Sequence, residues 1–277
     1  MSRLATTFAG LRARDEGALV AYFTAGDPSL DDTRRLCVES VRRGADVLEI
    51  GVPFSDPLAD GPVIQRATQR ALAANVTLGK VLDLVRDLRG DTAVPLVALT
   101  YYNPVLSFGL QAFAQAAVDA GLDGVIVADL PPEEARPLDE EARAADLDLI
   151  HLLAPTSTPA RMRLIARRSR GFIYVVSVTG VTGVRDALPT DLVRQLRALR
   201  LITTQPICVG FGIATPEHVR ALAAYADGLI VGSALVRLVE QHRGTPRMID
   251  AVGDFIESMK APLRAPAQAG VPREAQG

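Results

Sequence analysis

The feature that most constrains the fold of this chain is the regular alternation of short apolar runs with helical patterns. The helical stretches carry apolar residues at three- and four-residue steps, as in Asp31–Arg43, Thr77–Leu88 and Pro189–Leu199. Strands separated by such helices pair in parallel through right-handed crossovers. Eight strand candidates are present: Leu19–Thr24, Asp46–Gly51, Val94–Tyr101, Gly124–Asp129, Leu147–Leu153, Phe172–Ser177, Pro206–Gly210 and Gly228–Gly232.

Eight strand–helix units predict a single α/β domain, a closed (β/α)8 TIM barrel over residues 1–260. An open doubly wound sheet is the alternative. It is disfavoured as a dinucleotide-binding fold, because Thr24–Pro28 stands where a G-x-G-x-x-G motif would follow the first strand. The helical spacing of Leu4, Phe8 and Leu11 predicts a short N-terminal helix. The Pro-, Ala- and Gly-rich residues 261–277 predict a flexible, disordered tail.

Composition limits the partners and the location of the protein. A formal net charge of -2 gives no support to binding of nucleic acid or of an acidic membrane. No apolar run reaches the roughly 18 residues of a membrane span, and the first twenty residues lack the apolar core of a secretory signal. Two cysteines in a chain of 277 residues indicate a reducing compartment. We therefore expect a cytoplasmic protein.

A glutamate occupies a special position in the second strand candidate. Alternation places Glu49 on the face opposite Leu48 and Ile50, which are expected to meet the helices. Glu49 then points into the barrel lumen near the carboxyl ends of the strands, where barrel enzymes have their active sites. Two interpretations are open: a structural glutamate satisfied by neighbouring backbone, or a general acid/base whose pKa is raised by apolar surroundings.

The loop after this strand, VPFSDPLADGP, offers Asp56 and Asp60 beside three prolines. The prolines stiffen the loop, which would hold a carboxylate in one place. Aspartates in Pro/Gly turns are also common as local capping residues. On the residues alone, the turn role is favoured for either aspartate. A helix with proline in its first turn is predicted to begin at Pro62.

An ordered set of motifs gives this sequence a resemblance. LEIGVPFSDPLADGPVIQ, from Leu48 to Gln65, closely resembles the signature of the tryptophan synthase α chain family. The resemblance covers nearly the whole chain through GDP at 26–28, TYYNP at 100–104, VADLP at 127–131, SVTGVTG at 177–183, GFGI at 210–213 and VGSALV at 231–236. It implies a lyase that cleaves indole-3-glycerol phosphate into indole and D-glyceraldehyde 3-phosphate, the α reaction of L-tryptophan biosynthesis.

Position by position, Glu49 matches the family's proton-transferring carboxylate, and Asp60 matches the carboxylate that hydrogen-bonds the indole N–H. The residue at position 22 is a tyrosine where many relatives carry phenylalanine, and Val178 stands where some members carry arginine in a mobile loop. The loop over residues 177–186 resembles a lid. The residues that the resemblance assigns to the substrate pocket are Tyr22, Tyr101, Asp129, Tyr174 and Thr182.

A phosphorylated substrate requires backbone N–H donors, which barrels commonly supply after their seventh and eighth strands. Gly212 follows the seventh strand candidate, and Gly232 and Ser233 follow the eighth at the start of a helix. Gly183 ends the loop after the sixth. Each glycine could equally serve only a tight turn. Their common location favours a phosphate-binding site.

The sequence lacks the residues for two other mechanisms of aldol cleavage, through a Schiff base or through a metal ion. A Schiff base needs a lysine at a strand end, but Lys80 lies in a helical stretch and Lys260 precedes the tail. A metal site needs clustered ligands, but His151, His218 and His242 are far apart in sequence. His151, within a strand, could reach the lumen. We expect no metal and no cofactor in this chain.

The resemblance also implies a partner, a pyridoxal-phosphate-dependent tryptophan synthase β subunit in an αββα complex. The docking segments would be Pro53–Asp56 and Tyr101–Pro104. Two alternatives stay open: a free-standing lyase that releases indole to another pathway, and a weakly catalytic barrel that serves as a regulatory partner. The presence of both Glu49 and Asp60 argues against the second.

Overall fold

The computed structural model describes residues 2–177, 190–210 and 212–264, in which strands and helices alternate. The strands are β1 Ala18–Thr24, β2 Val47–Gly51, β3 Leu96–Thr100, β4 Gly124–Val127, β5 Asp148–Ile150, β6 Leu152–Leu153, β7 Ile173–Val176, β8 Ile207–Gly210 and β9 Gly228–Val231. The helices are α1 Arg3–Ala13, α2 Leu30–Arg42, α3 Pro62–Ala73, α4 Leu78–Asp91, α5 Tyr102–Phe108, α6 Leu110–Ala120, α7 Arg136–Ala144, α8 Pro159–Arg168, α9 Thr190–Arg200, α10 Pro216–Ala223, α11 Ser233–His242 and α12 Met248–Arg264.

The strands form one parallel sheet in the order β5-β4-β3-β2-β1-β9-β8-β7-β6. Its two ends, β5 and β6, are halves of the predicted fifth strand, so the sheet closes and the predicted (β/α)8 barrel is confirmed. The fifth strand is divided at His151, whose backbone N–H donates to the Ser169 hydroxyl at 3.0 Å. Because that donor is taken by a side chain, the strand ladder is interrupted at this residue.

The barrel has an outer and an inner core, because side chains alternate along each strand. Leu48 and Ile50 belong to the large outer core between the sheet and the helices. Val47 belongs to the inner core of the lumen, on the same face of β2 as Glu49. The predicted orientation of this strand is therefore confirmed.

The predicted N-terminal helix closes the lumen at the amino ends of the strands. Leu4, Phe8 and Leu11 of α1 are buried with the lumen residues, and the Phe8 and Phe172 rings lie 5.9 Å apart between centroids. Leu4 and Phe8 are spaced as one helical face requires. The lumen is therefore sealed at this end and accessible from the carboxyl ends of the strands.

Several helices begin where their local sequence predicts. A side-chain hydroxyl accepts a hydrogen bond from the N–H three residues further on, and so satisfies a donor that the helix leaves unpaired. The residues that cap helices in this way are Ser2, Ser29, Thr77, Thr158 and Thr215. No helix among the described residues is long and apolar enough to cross a membrane.

The last helix, α12, continues to Arg264, four residues beyond the boundary that the sequence predicts at residue 260. Leu263 is buried and its side chain lies against Gly17. The Lys260 ammonium donates to the Gly17 carbonyl and to the Asp46 carboxylate, both at 2.9 Å. These contacts hold the helix past Pro262, and the remaining tail residues, 265–277, lie outside the described residues.

We predict that Phe8→Ala lowers the free energy of unfolding by about 3 kcal/mol, because it leaves a cavity in a closed lumen. Turnover should stay within about twofold of the wild type, since α1 lies at the end away from the carboxyl edge. Urea unfolding measures the first effect. Thr6→Ala, an exposed position on the same helix, is the control and should change stability by less than about 0.5 kcal/mol. A loss equal to that of the control would contradict the packing role of Phe8.

Candidate active site

Glu49 lies in the middle of β2 with only 1% of its surface exposed. Among the described residues, its Oε2 atom has no hydrogen-bond partner. Burial in the lumen, and secondarily the charge of Asp60, raises the pKa of Glu49 to about 8. A carboxyl group in these surroundings keeps its proton at neutral pH and presents an unpaired oxygen to a ligand.

Two tyrosines stand beside Glu49, on the neighbouring strand β1 and across the lumen on β7. Tyr22 pairs with Glu49 in the β1–β2 register, and Tyr174 is buried in the inner core. Burial is the main cause that raises the pKa of both phenols, and the charge of Glu49 adds to it. The Tyr22 hydroxyl lies 3.2 Å from that of Thr24. The two rings form apolar walls around the carboxyl group.

Two glycines provide the space for these phenols. A Cβ atom on Gly51 would lie 2.2 Å from the Tyr22 hydroxyl, and one on Gly210 would lie 2.4 Å from the Tyr174 hydroxyl. Such distances are not tolerated between real atoms, so neither position accepts a side chain while its tyrosine is present. Sequence reasoning missed Thr24 as a part of the site, although alternation along β1 places Thr24 on the same face as Tyr22. It also did not predict that Gly51 and Gly210 make room for the two phenols.

Asp60 lies between β2 and α3, in the loop before Pro62. The Asp60 backbone carbonyl accepts from the Gln65 amide at 2.9 Å, and the Tyr101 hydroxyl accepts from the Ala59 N–H at 3.0 Å. Burial raises the pKa of Asp60 to about 6, and a hydrogen bond from Tyr101 opposes that rise. Asp60 is therefore held facing the mouth and is mostly ionised at neutral pH.

The other aspartate of the same loop, Asp56, is exposed, and its carboxylate accepts from the Ser55 hydroxyl at 2.7 Å. The loop is packed through Phe54, whose ring lies 5.2 Å from that of Tyr101. Asp56 thus has the local turn role that the sequence favours for an aspartate here. Asp60 is the one that interacts with Glu49 electrostatically.

Asp129 follows β4 at the same edge of the barrel and is exposed. Its Oδ1 atom accepts from the Tyr102 N–H at 2.7 Å, so it supplies a cap to the first turn of α5. Asp129 therefore fixes the backbone next to Tyr101, the hydrogen-bond partner of Asp60.

The predicted phosphate-binding residues after β8 and β9 lie at the mouth. Gly212 has a φ of 77°, a left-handed conformation that favours glycine. Gly232 is the N-cap of α11 and Ser233 is its first residue. A helix N-terminus directs unpaired N–H groups and a partial positive charge outward, which suits a phosphate. Gly183, Thr182, Val178 and the rest of the predicted lid beyond Ser177 lie outside the described residues.

The histidine in the fifth strand faces the surrounding helices and not the lumen. His151 is buried, and the charged groups that act on its pKa include Asp139, Arg168 and Arg143, which lie on α7 and α8. Burial lowers its pKa to about 4. The possibility that His151 reaches the lumen is therefore wrong, because its position alternates with the lumen-facing Ile150 and Leu152. No cluster of metal-ligating side chains is present within the described residues.

Fold and site together define a (β/α)8-barrel enzyme whose mouth holds two carboxyl groups and the N-terminus of a helix. The model of the tryptophan synthase alpha chain family matches residues 8–263. The chain belongs to this family, and it is accordingly a lyase of the α reaction.

Individual relatives agree with the family model along nearly the whole chain. The tryptophan synthase alpha chain of Geotalea uraniireducens (strain Rf4) is 49% identical over 265 residues, covering 96% of this chain and 99% of that relative. That of Geobacter sulfurreducens is 51% identical, covering 87% of this chain and 91% of the relative. The crystal structure of tryptophan synthase subunit alpha from Legionella pneumophila str. Paris is 40% identical, with a TM-score of 0.88 and coverage of 95% of this chain and 98% of that chain.

We predict that the stability difference between Glu49→Gln and the wild type depends on pH. Between pH 4.5, the ordinary pKa, and about 8, the unfolded chain releases the Glu49 proton while the folded chain keeps it. The wild type therefore loses stability relative to the variant as the pH rises, by about 1.4 kcal/mol per pH unit, and the loss is complete above pH 8. Urea unfolding at pH 5, 6.5 and 8 measures this.

Glu39→Gln is the matched control. Hydrogen bonds from Arg42 and Arg43 lower the pKa of Glu39 to about 2, so the stabilising effect of its charge is already complete above pH 4.5. Its stability difference from the wild type should stay constant from pH 5 to 8. A constant difference for Glu49→Gln as well would show that Glu49 titrates normally.

Proposed function

We propose that Glu49 transfers the protons in the cleavage of indole-3-glycerol phosphate. The bond between indole C3 and the glycerol phosphate breaks in a retro-aldol reaction. C3 must gain a proton, so that the ring becomes an indolenine that can accept the bonding electrons. The hydroxyl on the adjacent side-chain carbon must lose its proton, so that it can become the aldehyde of glyceraldehyde 3-phosphate.

The observation that carries this proposal is the buried Glu49 carboxyl with a raised pKa and an unpaired oxygen. Because Glu49 holds its proton at neutral pH, it can act as the acid toward C3. The carboxylate left behind can then accept the hydroxyl proton, which returns Glu49 to its starting state. One group therefore serves both steps.

Asp60 has the complementary role in this proposal. Its lower pKa, about 6, leaves it ionised at neutral pH. The carboxylate accepts a hydrogen bond from the indole N–H and stabilises the positive charge that develops on that nitrogen. The pKa values of the two carboxyl groups differ because Glu49 is fully enclosed whereas Asp60 is held near the mouth by Tyr101. Separation of this kind between two carboxyl groups is typical of acid–base sites.

The substrate lies between the two ends of the mouth. Tyr22, Tyr101 and Tyr174 supply aromatic surfaces for the indole end, with Asp129 in support and Thr182 as a further pocket residue. At the other end, the N-terminus of α11 binds the phosphate, since its N–H groups are directed at the mouth. The residues assigned to the phosphate are Gly183, Gly212, Gly232 and Ser233.

We further propose that the chain works with a tryptophan synthase β subunit in an αββα complex. Three large apolar side chains are exposed around the mouth: Leu58 of the Asp60 loop at 94%, Leu106 at 54% and Phe108 at 39%. An apolar group of this kind beside polar residues is typical of a protein interface. This surface favours the two-subunit enzyme over the free-standing lyase, and the carboxyl pair disfavours a regulatory barrel.

In this proposal pyridoxal phosphate belongs to the β subunit, where it supplies the chemistry of the second half-reaction. Neither lysine of this chain is placed to hold the aldehyde of that cofactor at the mouth. Lys80 is exposed on α4 and donates to the Asn75 carbonyl, while Lys260 is paired with Asp46 at the amino end of the barrel.

We expect Glu49→Gln to abolish the release of indole from indole-3-glycerol phosphate, with a loss of about 1,000-fold or more in kcat. Glutamine keeps the shape of the side chain but cannot exchange the proton. Indole-3-propanol phosphate, which lacks the hydroxyls of the substrate, should bind within about threefold of the wild type. Glu39→Gln is again the control and should keep full activity. Retention of a tenth of the wild-type turnover by Glu49→Gln would refute the role of Glu49.

We expect Leu106→Ser to weaken the affinity for a β subunit about tenfold, as the loss of an apolar side chain from an interface predicts. The turnover of the isolated chain should not change. Titration of the indole-release rate with β subunit measures both quantities. Leu201→Ser is the matched control, since Leu201 is also an exposed leucine, at 82%, and lies just after α9. Equal titration curves for the two variants would contradict the docking surface, and a β subunit without effect on the wild type would favour the free-standing lyase.

A further inference from the structure

An ion-pair network behind the mouth joins three segments of the barrel. Arg70 of α3 binds the Asp27 carboxylate through two parallel hydrogen bonds of 2.8 Å, and a third nitrogen donates to Glu240 of α11 at 2.9 Å. Arg66, one turn earlier on α3, binds the same Glu240 carboxylate at 2.9 and 2.8 Å. The loop after β1, helix α3 and helix α11 are thus tied to one another.

The network is more than a surface ion pair. Asp27 is buried, and the side chains of Arg70 and Glu240 are only 21% and 23% exposed. Hydrogen bonds from Arg66 and Arg70 lower the pKa of Glu240 to about 2, so Glu240 stays charged at neutral pH. The two-point contact between Arg70 and Asp27 fixes an orientation as well as a distance.

Each of the two joined helices begins at one end of the proposed substrate site. Helix α3 begins two residues after Asp60, and its Gln65 side chain bonds the Asp60 carbonyl. Helix α11 begins at Ser233, at the proposed phosphate site. Between the helices, Ile64 and Val236 pack with Tyr22. Any shift of α3 relative to α11 therefore changes the distance between the two ends of the proposed substrate site, near Asp60 and near Ser233.

We propose that Arg70 and Glu240 are positioning residues that set the distance between the indole-binding and phosphate-binding ends of the site. The inference rests on the proposed function. Helices transmit displacements as rigid rods, and a misplacement of about 1 Å in a reacting complex can cost about 100-fold in rate. A substrate that spans both ends senses this distance, whereas a fragment that binds at one end does not.

The test compares fragments with a whole ligand. Affinities for indole, for glycerol 3-phosphate and for indole-3-propanol phosphate are measured by calorimetry on wild type, Arg70→Gln, Glu240→Gln and the double variant. We expect the affinity for each fragment, indole or glycerol 3-phosphate, to stay within about twofold of the wild-type value. The affinity for the joined ligand, indole-3-propanol phosphate, should be about tenfold lower or more in each single variant. The kcat/KM for indole-3-glycerol phosphate should fall in parallel. The loss in the double variant should be smaller than the product of the single losses.

Arg34→Gln is the matched control, because Arg34 also makes a two-point ion pair between helices, from α2 to Asp91 of α4 at 2.6 and 3.0 Å. It should leave all three affinities within twofold. If Arg70→Gln does not fold, Arg70→Lys takes its place, because lysine keeps the positive charge. Arg70→Lys should show an intermediate loss of affinity for the joined ligand.

Two results would overturn the inference. One is an equal loss of affinity for glycerol 3-phosphate and for the joined ligand in the variants, and the other is no loss of affinity for the joined ligand. A wild type that does not cleave indole-3-glycerol phosphate would overturn the proposed function itself. Cleavage by the wild type together with unaltered variants would overturn only the role of Arg70 and Glu240.

Discussion

Removal of the Glu49 carboxyl group from water is the interaction on which the chemistry of this site depends. A closed parallel barrel brings the carboxyl ends of all its strands to one opening, and α1 seals the other end. The lumen near Glu49 is therefore enclosed by Tyr22 and Tyr174, and the charged form of the carboxyl group is disfavoured there. The fold raises the pKa of this glutamate to about 8, so that it holds its proton at neutral pH.

The difference between the two carboxyl groups follows from where each is attached. Glu49 lies in a strand and is surrounded by side chains on every side, whereas Asp60 lies in a loop and receives a hydrogen bond from Tyr101. Asp129 fixes the backbone beside Tyr101 through the Tyr102 N–H. A chain of contacts over two strand–helix units thus helps to keep Asp60 charged, whereas burial keeps Glu49 neutral. Each group is in the protonation state that the proposed first step requires.

Much of this arrangement could be predicted from sequence, because it depends on local periodicity. Alternation along β2 is sufficient to place Glu49 inside, and the three- and four-residue spacing of Leu4, Phe8 and Leu11 is sufficient to predict α1, although not its position across the amino end of the barrel. The break at His151 could not be predicted in this way, because it depends on a hydrogen bond to Ser169, which is distant in sequence. The same holds for Arg70, whose partners Asp27 and Glu240 are 43 and 170 positions away. The extension of α12 past Pro262 depends on contacts with Gly17 and Asp46.

The contact between Gly210 and the Tyr174 hydroxyl, with its counterpart at Gly51 and Tyr22, limits how the lumen can be redesigned. Each glycine and its tyrosine fill a single volume that is shared by two adjacent strands. A larger residue at one member of a pair therefore requires a smaller residue at the other. A single replacement at either glycine adds a Cβ atom that clashes with the tyrosine side chain, whichever rotamer the new residue adopts. Combinatorial libraries that seek new substrates for this barrel should vary the two members of each pair jointly. Most folded variants are expected to combine a larger residue at the glycine position with a smaller one at the tyrosine position.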